Sequence, residues 1–363
     1  MRKIIEVLIN SFFRLFPIDN KKVLFISTNY RLNDNPYAFF RYLKEHNSGY
    51  RLVYLVAKDA DVSGLQKGEY AYVRSFMGLY HMATYKYRFT CQSYGSVIKK
   101  RPGQRYIQLW HATYSIKKMG FDVANPEGLT QLPHTVDWDY YISASEADIA
   151  VVQGCSGFTC PGKALGNPRT DALFAQWDLP AIRTKLGIPD DKKVLLYAPT
   201  FRDWELNAET VSLPNLSALT EEYTVLVRLH PFVSHKLDRS IFNESIINAC
   251  DHSDLNELLA VSDVLVTDYS SVFIDFSLLE KPTVFYIYDY EAYAKERGGF
   301  YLDFHTQLPG PTAQTEDALL ATLKALQVDT EKIRQFNQQY NTHNDGNACK
   351  RILAELQKGG FDR

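Results

Sequence analysis

The sequence carries almost no net charge: 40 lysines and arginines against 42 acidic residues leave −2 at pH 7. Nucleic-acid binders normally show a basic excess, so no nucleic-acid partner is expected. Cysteine is scarce as well. Its five copies, Cys91, Cys155, Cys160, Cys250 and Cys349, are odd in number and scattered, which argues against a disulfide framework and fits a reducing compartment. Cys155 and Cys160 are too far apart for a C-x-x-C pair, and without a second Cys/His pair nearby no zinc site is expected. No apolar run reaches the roughly 20 residues needed to cross a bilayer. Neither a repeat nor a low-complexity tract interrupts the chain. What remains is ordinary globular composition, 45% hydrophobic and 23% charged over 363 residues, enough for two domains of moderate size. Aromatics are plentiful, with 24 Tyr and 21 Phe; a Tyr-rich core and a sugar- or lipid-facing surface both account for that.

Residues 1–17 read as a short helix that Pro17 stops. Ile5, Leu8, Phe12 and Leu15 share one face, Arg2, Lys3 and Arg14 accompany it, and no small-residue cleavage site follows. The pattern suits a helix lying on an anionic membrane surface, and equally one packed on the protein's own body. From Lys21 onward strands and helices alternate, the mark of parallel α/β sheets. Buried strands are expected around residues 23–27, 52–56, 87–91, 106–110 and 140–143, then around 193–198, 224–228, 264–267 and 283–287. Between the two series, Gly166-Asn167-Pro168-Arg169-Thr170-Asp171 is a candidate hinge. The expected domains are an amphipathic helix over 1–18, a first sheet domain over 19–172 and a second over 173–363, its tail helical from Thr315 to Lys358.

The stretch Val264-Leu265-Val266-Thr267-Asp268-Tyr269-Ser270-Ser271-Val272-Phe273-Ile274 organises the rest. It reads as a strand, a polar loop and a helix N-terminus, where unpaired N–H groups and the helix dipole favour a phosphate. Ser270 and Ser271 add hydroxyls there; a plain Ser N-cap on a buried helix fits the same letters. Parallel sheets place ligands at the carboxyl ends of their strands, and three more polar groups fall at such ends. His111, followed by Lys117 and Lys118, suits general-base work on a hydroxyl beside phosphate-attracting cations. Arg202 follows Tyr197-Ala198-Pro199-Thr200-Phe201, and Arg228 and His230 close another strand before Pro231; guanidinium groups grip phosphate through paired N–H donors. Arg297 precedes Gly298-Gly299, where the backbone is free to close over a ligand. A histidine packed against a backbone carbonyl and a solvated loop arginine are the structural alternatives. Asp137-Trp138-Asp139 precedes a strand instead of ending one, Asp289-Tyr290-Glu291 reads as a solvated turn and Asp34 stands alone, so no metal site is expected.

Five segments stand in the order and spacing of a known family. Leu109-Trp110-His111-Ala112-Thr113 with Lys117-Lys118-Met119-Gly120, the candidate hinge, Tyr197 to Arg202, Arg228-Leu229-His230-Pro231 and Thr267-Asp268-Tyr269-Ser270-Ser271 resemble the CDP-glycerol glycerophosphotransferase family of teichoic acid synthesis, over about residues 23–303. Ala112 stands where the family often has Gly, and Thr170 where Asn is common; neither change removes a titrating group. The resemblance implies a GT-B fold, two Rossmann-like parallel-sheet domains facing a central cleft, with the acceptor domain first and the donor domain second. It implies transfer of glycerol phosphate from CDP-glycerol to a hydroxyl of a polyprenyl-diphosphate-linked disaccharide. CMP is released at the cytoplasmic face of the membrane, and no cofactor takes part. Carried over, His111 is the base and His230 a phosphate-stabilising partner. Arg202, Arg228, Thr267, Asp268, Ser270, Ser271 and Arg297 serve the donor, and Lys117 and Lys118 the acceptor side. The family holds primases and polymerases, and a chain of this length without an extra N-terminal domain leans toward the primase. A polymerase using CDP-glycerol or CDP-ribitol and a non-catalytic nucleotide- or glycan-binding relative are the alternatives.

Overall fold

The computed structural model describes residues 2–92, 97–202, 213–230 and 232–362, without the side chains of residues 2–5. Pro231 and the side chains of Arg2, Lys3 and Ile5 therefore lie outside the described residues. Two compact units divide the chain: Met1–Thr113, Ala124–Asp171 and His343–Arg363 form the first, Tyr114–Val123 and Ala172–Thr342 the second.

In the first unit the order is α1 (Arg2–Phe13), β1 (Asp19–Ile26), α2 (Asp34–Glu45), β2 (Arg51–Val56), β3 (Tyr70–Tyr72), α3 (Phe76–Thr84), β4 (Tyr85–Thr90), β5 (Arg105–Gln108), β6 (Tyr140–Ser143), α4 (Glu146–Ser156) and β7 (Gly162–Ala164). The strands are parallel in the order β3-β2-β1-β4-β5-β6-β7. Both faces are covered, which is why the inner strands read as unbroken apolar runs. Val23, Phe25, Tyr54 and Phe89 pack on Phe39, Phe40 and Leu43 of α2. Leu24, Ile26, Val53 and Leu55 pack on Phe13 of α1 and Met82 of α3. Strand order reverses between β1 and β4, which puts this sheet's ligand crevice at their carboxyl ends. The N-terminal helix is α1, which ends at Phe13, short of the expected boundary. Phe13 is buried with its ring 5.2 Å from Phe76, while Leu8, Phe12 and Leu15 are exposed.

The second unit runs α5 (Leu179–Leu186), β8 (Lys193–Tyr197), β9 (Tyr223–Val227), β10 (Ile246–Asn248), α6 (Leu255–Val261), β11 (Val264–Thr267), α7 (Val272–Ser277), β12 (Thr283–Tyr286), α8 (Tyr290–Arg297), β13 (Thr312–Ala313), α9 (Glu316–Lys324) and α10 (Thr330–Tyr340). Its parallel sheet has the order β10-β9-β8-β11-β12-β13 and reverses between β8 and β11. Two segments fall outside the expected boundaries. The last helix, α11 (Ala348–Gln357), belongs to the first unit, because Asp171 accepts from the Ala348 and Cys349 N–H groups at 2.9 and 2.8 Å and Ile352 and Leu356 fill that core. Residues 114–123 belong to the second unit, tied to it by Lys118 N–H to the Gly299 carbonyl (3.0 Å) and Tyr301 N–H to the Ile116 carbonyl (2.8 Å).

Candidate active site

Beyond β5 the chain turns through Leu109, Trp110 and His111. Trp110 sits at φ +53, a left-handed conformation that a bulky residue adopts only under restraint. Asn35 Nδ2 supplies it, donating to the carbonyls of Leu109 (3.2 Å) and Trp110 (3.0 Å). Arg169 donates to the His111 carbonyl at 2.8 Å and pairs with Asp34 at 2.7 Å, and Asn167 Nδ2 donates to Thr113 Oγ1 at 2.8 Å. The candidate hinge thus clamps the His111 loop, and Asp34, expected to stand alone, anchors the clamp. The His111 ring packs against the end of β4, with Nδ1 3.2 Å from the Cys91 carbonyl. A carbonyl only accepts, so Nδ1 carries the proton and Nε2 keeps its lone pair. Loss of hydration lowers the pKa below 6.5, outweighing the raising influence of Asp34 and of the Cys91 carbonyl. At neutral pH His111 therefore offers a bare Nε2 base.

In the second unit the loops after β8 and β11 are joined by polar side chains. Thr267 Oγ1 donates to the Ala198 carbonyl at 2.6 Å, and Asp268 Oδ1 accepts from the Thr200 N–H at 2.7 Å. Arg202 donates to Asp268 at 2.6 Å and grips Asp289 through a fork at 2.7 and 2.9 Å. Tyr269 OH donates to the same Asp289 at 3.0 Å. Asp289, expected as a solvated turn, is instead the second anion of a buried cluster, and Arg202 spends its charge inside that cluster. Buried charge persists when it is paired in this way. Arg228 likewise turns inward, its Nη1 donating to the carbonyls of Ala249 (3.0 Å) and His252 (2.8 Å). Thr267, Asp268 and Arg202 thus shape the switch point between β8 and β11, while Arg228 ties the end of β9 to the segment after β10.

Ser270 and Ser271 are half-buried at the start of α7, which has only 6 residues; Ser271 makes no side-chain cap hydrogen bond, whereas Ser75 and Ser145 cap α3 and α4. Ser271 thus does not cap α7, whereas Ser270 Oγ accepts from the Val272 N–H at 3.5 Å; the short α7 carries less dipole than the sequence suggested. His230 Nδ1 accepts from the Phe232 N–H at 3.3 Å, so the proton of the neutral ring lies on Nε2. Burial, with help from Lys117, pushes its pKa down to about 4, making it a neutral N–H donor. Its ring lies 4.6 Å from Phe201, over which the Arg297 guanidinium sits at 5.4 Å. Arg297 and Lys117 both reach the Tyr293 ring, at 5.8 and 5.4 Å. Lys117 and Lys118, expected on the acceptor side, are thus gathered with the donor-side candidates His230 and Arg297 in one unit. Such a set of N–H donors suits a phosphate or diphosphate. Among the described residues, no three His, Cys, Asp or Glu side chains gather as metal ligands.

A family model described as CDP-glycerol:poly(glycerophosphate) glycerophosphotransferase matches residues 8–358. The chain is 31% identical to a teichoic acid glycerol-phosphate transferase of Staphylococcus aureus (strain NCTC 8325 / PS 47), over 99% of both chains. It is 34% identical to a teichoic acid ribitol-phosphate primase of Bacillus spizizenii (strain ATCC 23059 / NRRL B-14472 / W23), over 93% of this chain and 91% of that one. The structure of the wall teichoic acid polymerase TagF matches with a TM-score of 0.85 at 26% identity, covering 97% of this chain and 93% of that one. A TagF variant soaked with CDPG matches at 0.84.

Proposed function

We propose the reaction from one premise: the chain belongs to the CDP-glycerol:poly(glycerophosphate) glycerophosphotransferase family. It transfers glycerol phosphate from CDP-glycerol to a hydroxyl of a polyprenyl-diphosphate-linked saccharide in teichoic acid synthesis. His111 Nε2 takes the hydroxyl proton; the oxygen attacks the phosphorus that bears glycerol, the bond to the bridging oxygen breaks, and CMP departs. His230 donates Nε2–H to the donor's phosphates, while Ser270, Ser271, Lys117, Lys118 and Arg297 supply further donors and positive charge. Arg202, Arg228, Thr267 and Asp268 act behind them by holding the loops. The observation that carries the reading is the Nδ1 contact of His111 with the Cys91 carbonyl, which reserves Nε2 as base. Transfer of a single unit is the preferred outcome, supported by the glycerol-phosphate transferase matched end to end. Chain growth is the second reading, supported by the likeness to a polymerase. The enzyme works at the cytoplasmic face of the membrane as a peripheral protein, held there by the exposed apolar side chains of α1; no helix among the described residues is long and apolar enough to cross a bilayer.

His111→Ala is expected to lower turnover about 10²–10⁴-fold, the usual worth of general-base help, with CDP-glycerol binding kept. Near-normal turnover by the folded variant overturns the assignment. Incubation with CDP-glycerol or CDP-ribitol and a lipid-linked disaccharide analogue, with products weighed by mass spectrometry, identifies the donor and counts the units added.

A further inference from the structure

One cavity of the first unit plays no part in the chemistry above. It measures about 570 Å³ and lies against α1, α3 and the carboxyl ends of β1, β2 and β4, a size within the range of small-molecule sites. Its wall is apolar where Leu55, Leu79 and Met82 line it, basic where Arg74, Arg88 and Lys99 do, and carries a single carboxylate, Glu6, among the described lining residues. Arg74 and Lys99 are exposed at the rim. Arg88 is not: it is 7% exposed, in the middle of a parallel sheet, on a face otherwise filled by Leu24, Leu55 and Met82. Its Nε has no hydrogen-bond partner among the described residues. Its guanidinium stacks on Tyr106 at 3.6 Å from the ring centre, an interaction worth far less than hydration of the charge it replaces. A buried cation whose Nε has no acceptor among the described residues, lining a cavity, is explained by an anion that enters the cavity.

The surroundings say what kind of anion. Val7, Leu8, Phe12, Leu15, Phe76 and Met77 are all at least 47% exposed on α1, the turn after it and α3. Phe12 and Phe76 lie ring to ring at 6.2 Å, so the two helices share one apolar surface, the kind that marks a binding site. The cavity also reaches the catalytic loop. Cys91, whose carbonyl orients the His111 ring, lies between Thr90 and Gln92, both of which line the cavity.

We propose that the cavity binds the phosphate or diphosphate head of a lipid, with Arg88 at its floor and the lipid chain leaving over the apolar surface of α1 and α3. Under the transferase reading, on which this identification rests, the lipid is the diphosphate-linked acceptor, and the cavity delivers its sugar toward His111. Titration calorimetry of the full chain with geranyl diphosphate, inorganic pyrophosphate and geraniol tests it. Geranyl diphosphate is expected to bind more tightly than either fragment. Arg88→Met is expected to weaken it about tenfold or more, the factor carried by one charge-assisted hydrogen bond. Should Arg88→Met not fold, Arg74→Met at the exposed rim supplies the same comparison. Unchanged affinity in the folded variants, or no binding by the wild-type chain, overturns the proposal. Flotation with vesicles of phosphatidylcholine and phosphatidylglycerol separates the two sources of the head group. Arg88→Met flotation equal to wild type, with geranyl diphosphate binding lost, supports a free lipid diphosphate. Lost flotation with geranyl diphosphate binding unchanged overturns it in favour of bilayer phospholipid. CMP release from CDP-glycerol is followed separately: its absence while geranyl diphosphate still binds refutes the transferase reading and leaves the lipid-phosphate site standing.

Discussion

Replacing Arg202 with methionine asks whether the second unit's loops are braced by buried charge or whether this arginine holds the donor directly. The guanidinium side chain is 1% exposed and bridges Asp268 and Asp289, themselves 2% and 12% exposed. Methionine fills much of the space but leaves two carboxylates without that cation. Removing one partner of a buried ion pair costs about 3–5 kcal/mol. Here two partners lose it, so the upper end applies, about 5 kcal/mol against the roughly 5–15 kcal/mol that holds a typical domain. Urea unfolding followed by circular dichroism measures the loss. Adding Asp268→Asn and Asp289→Asn should recover most of the loss, because a neutral cluster needs no cation. A deficit under about 1 kcal/mol, the worth of an exposed pair, together with a tenfold loss of CDP-glycerol affinity, would refute this account and return Arg202 to the donor's phosphates.

Acid should destabilise the fold through His81, buried with its Nδ1 unpartnered and its pKa lowered to about 4 by burial and by Lys22. The unfolded chain takes up that proton below 6.5 and the folded one only near 4, so stability falls across this window, by about 2 kcal/mol at pH 5; His81→Gln should flatten the urea midpoint between pH 7.5 and 5 by that share. Arg169→Met removes the clamp on the His111 carbonyl and the partner of Asp34, and should lower kcat about tenfold or more with the donor's KM little changed; an unchanged kcat would show that the loop holds its shape without it. Leu8→Ser with Leu15→Ser alters side chains 63% and 79% exposed and spares buried Phe13, so melting should be unaffected while flotation with anionic liposomes falls. Equal flotation would mean that α1 only packs on the protein.

The inner strands were legible in the sequence because both faces of a parallel sheet are covered, which forces runs such as Val23-Leu24-Phe25-Ile26 and Val264-Leu265-Val266 to be apolar throughout. The strands it did not announce, β3, β7, β10 and β13, are the four sheet edges. Each spans three residues or fewer, as edges that resist further pairing tend to do, and so short a segment carries no periodic signal. The ends of β5, β8, β9 and β11 were also readable, since polar groups directly after buried runs mark where ligands approach. Which of those groups are held by the protein itself was decided only by partners distant in sequence. Asp289, 87 residues beyond Arg202, engages a guanidinium that the sequence offered to a phosphate. Arg169 gives Asp34 its role. A backbone bridge to residues 299–301 carries Lys117 and Lys118 into the second unit, and the Asp171 carboxylate brings α11 back to the first. The chemistry of the two histidines likewise lay outside the sequence: it is written in which ring nitrogen meets the Cys91 carbonyl and which meets the Phe232 N–H. Residue type and spacing set what each side chain is able to do, whereas its protonation, tautomer and free valence are properties of neighbours that only folding supplies.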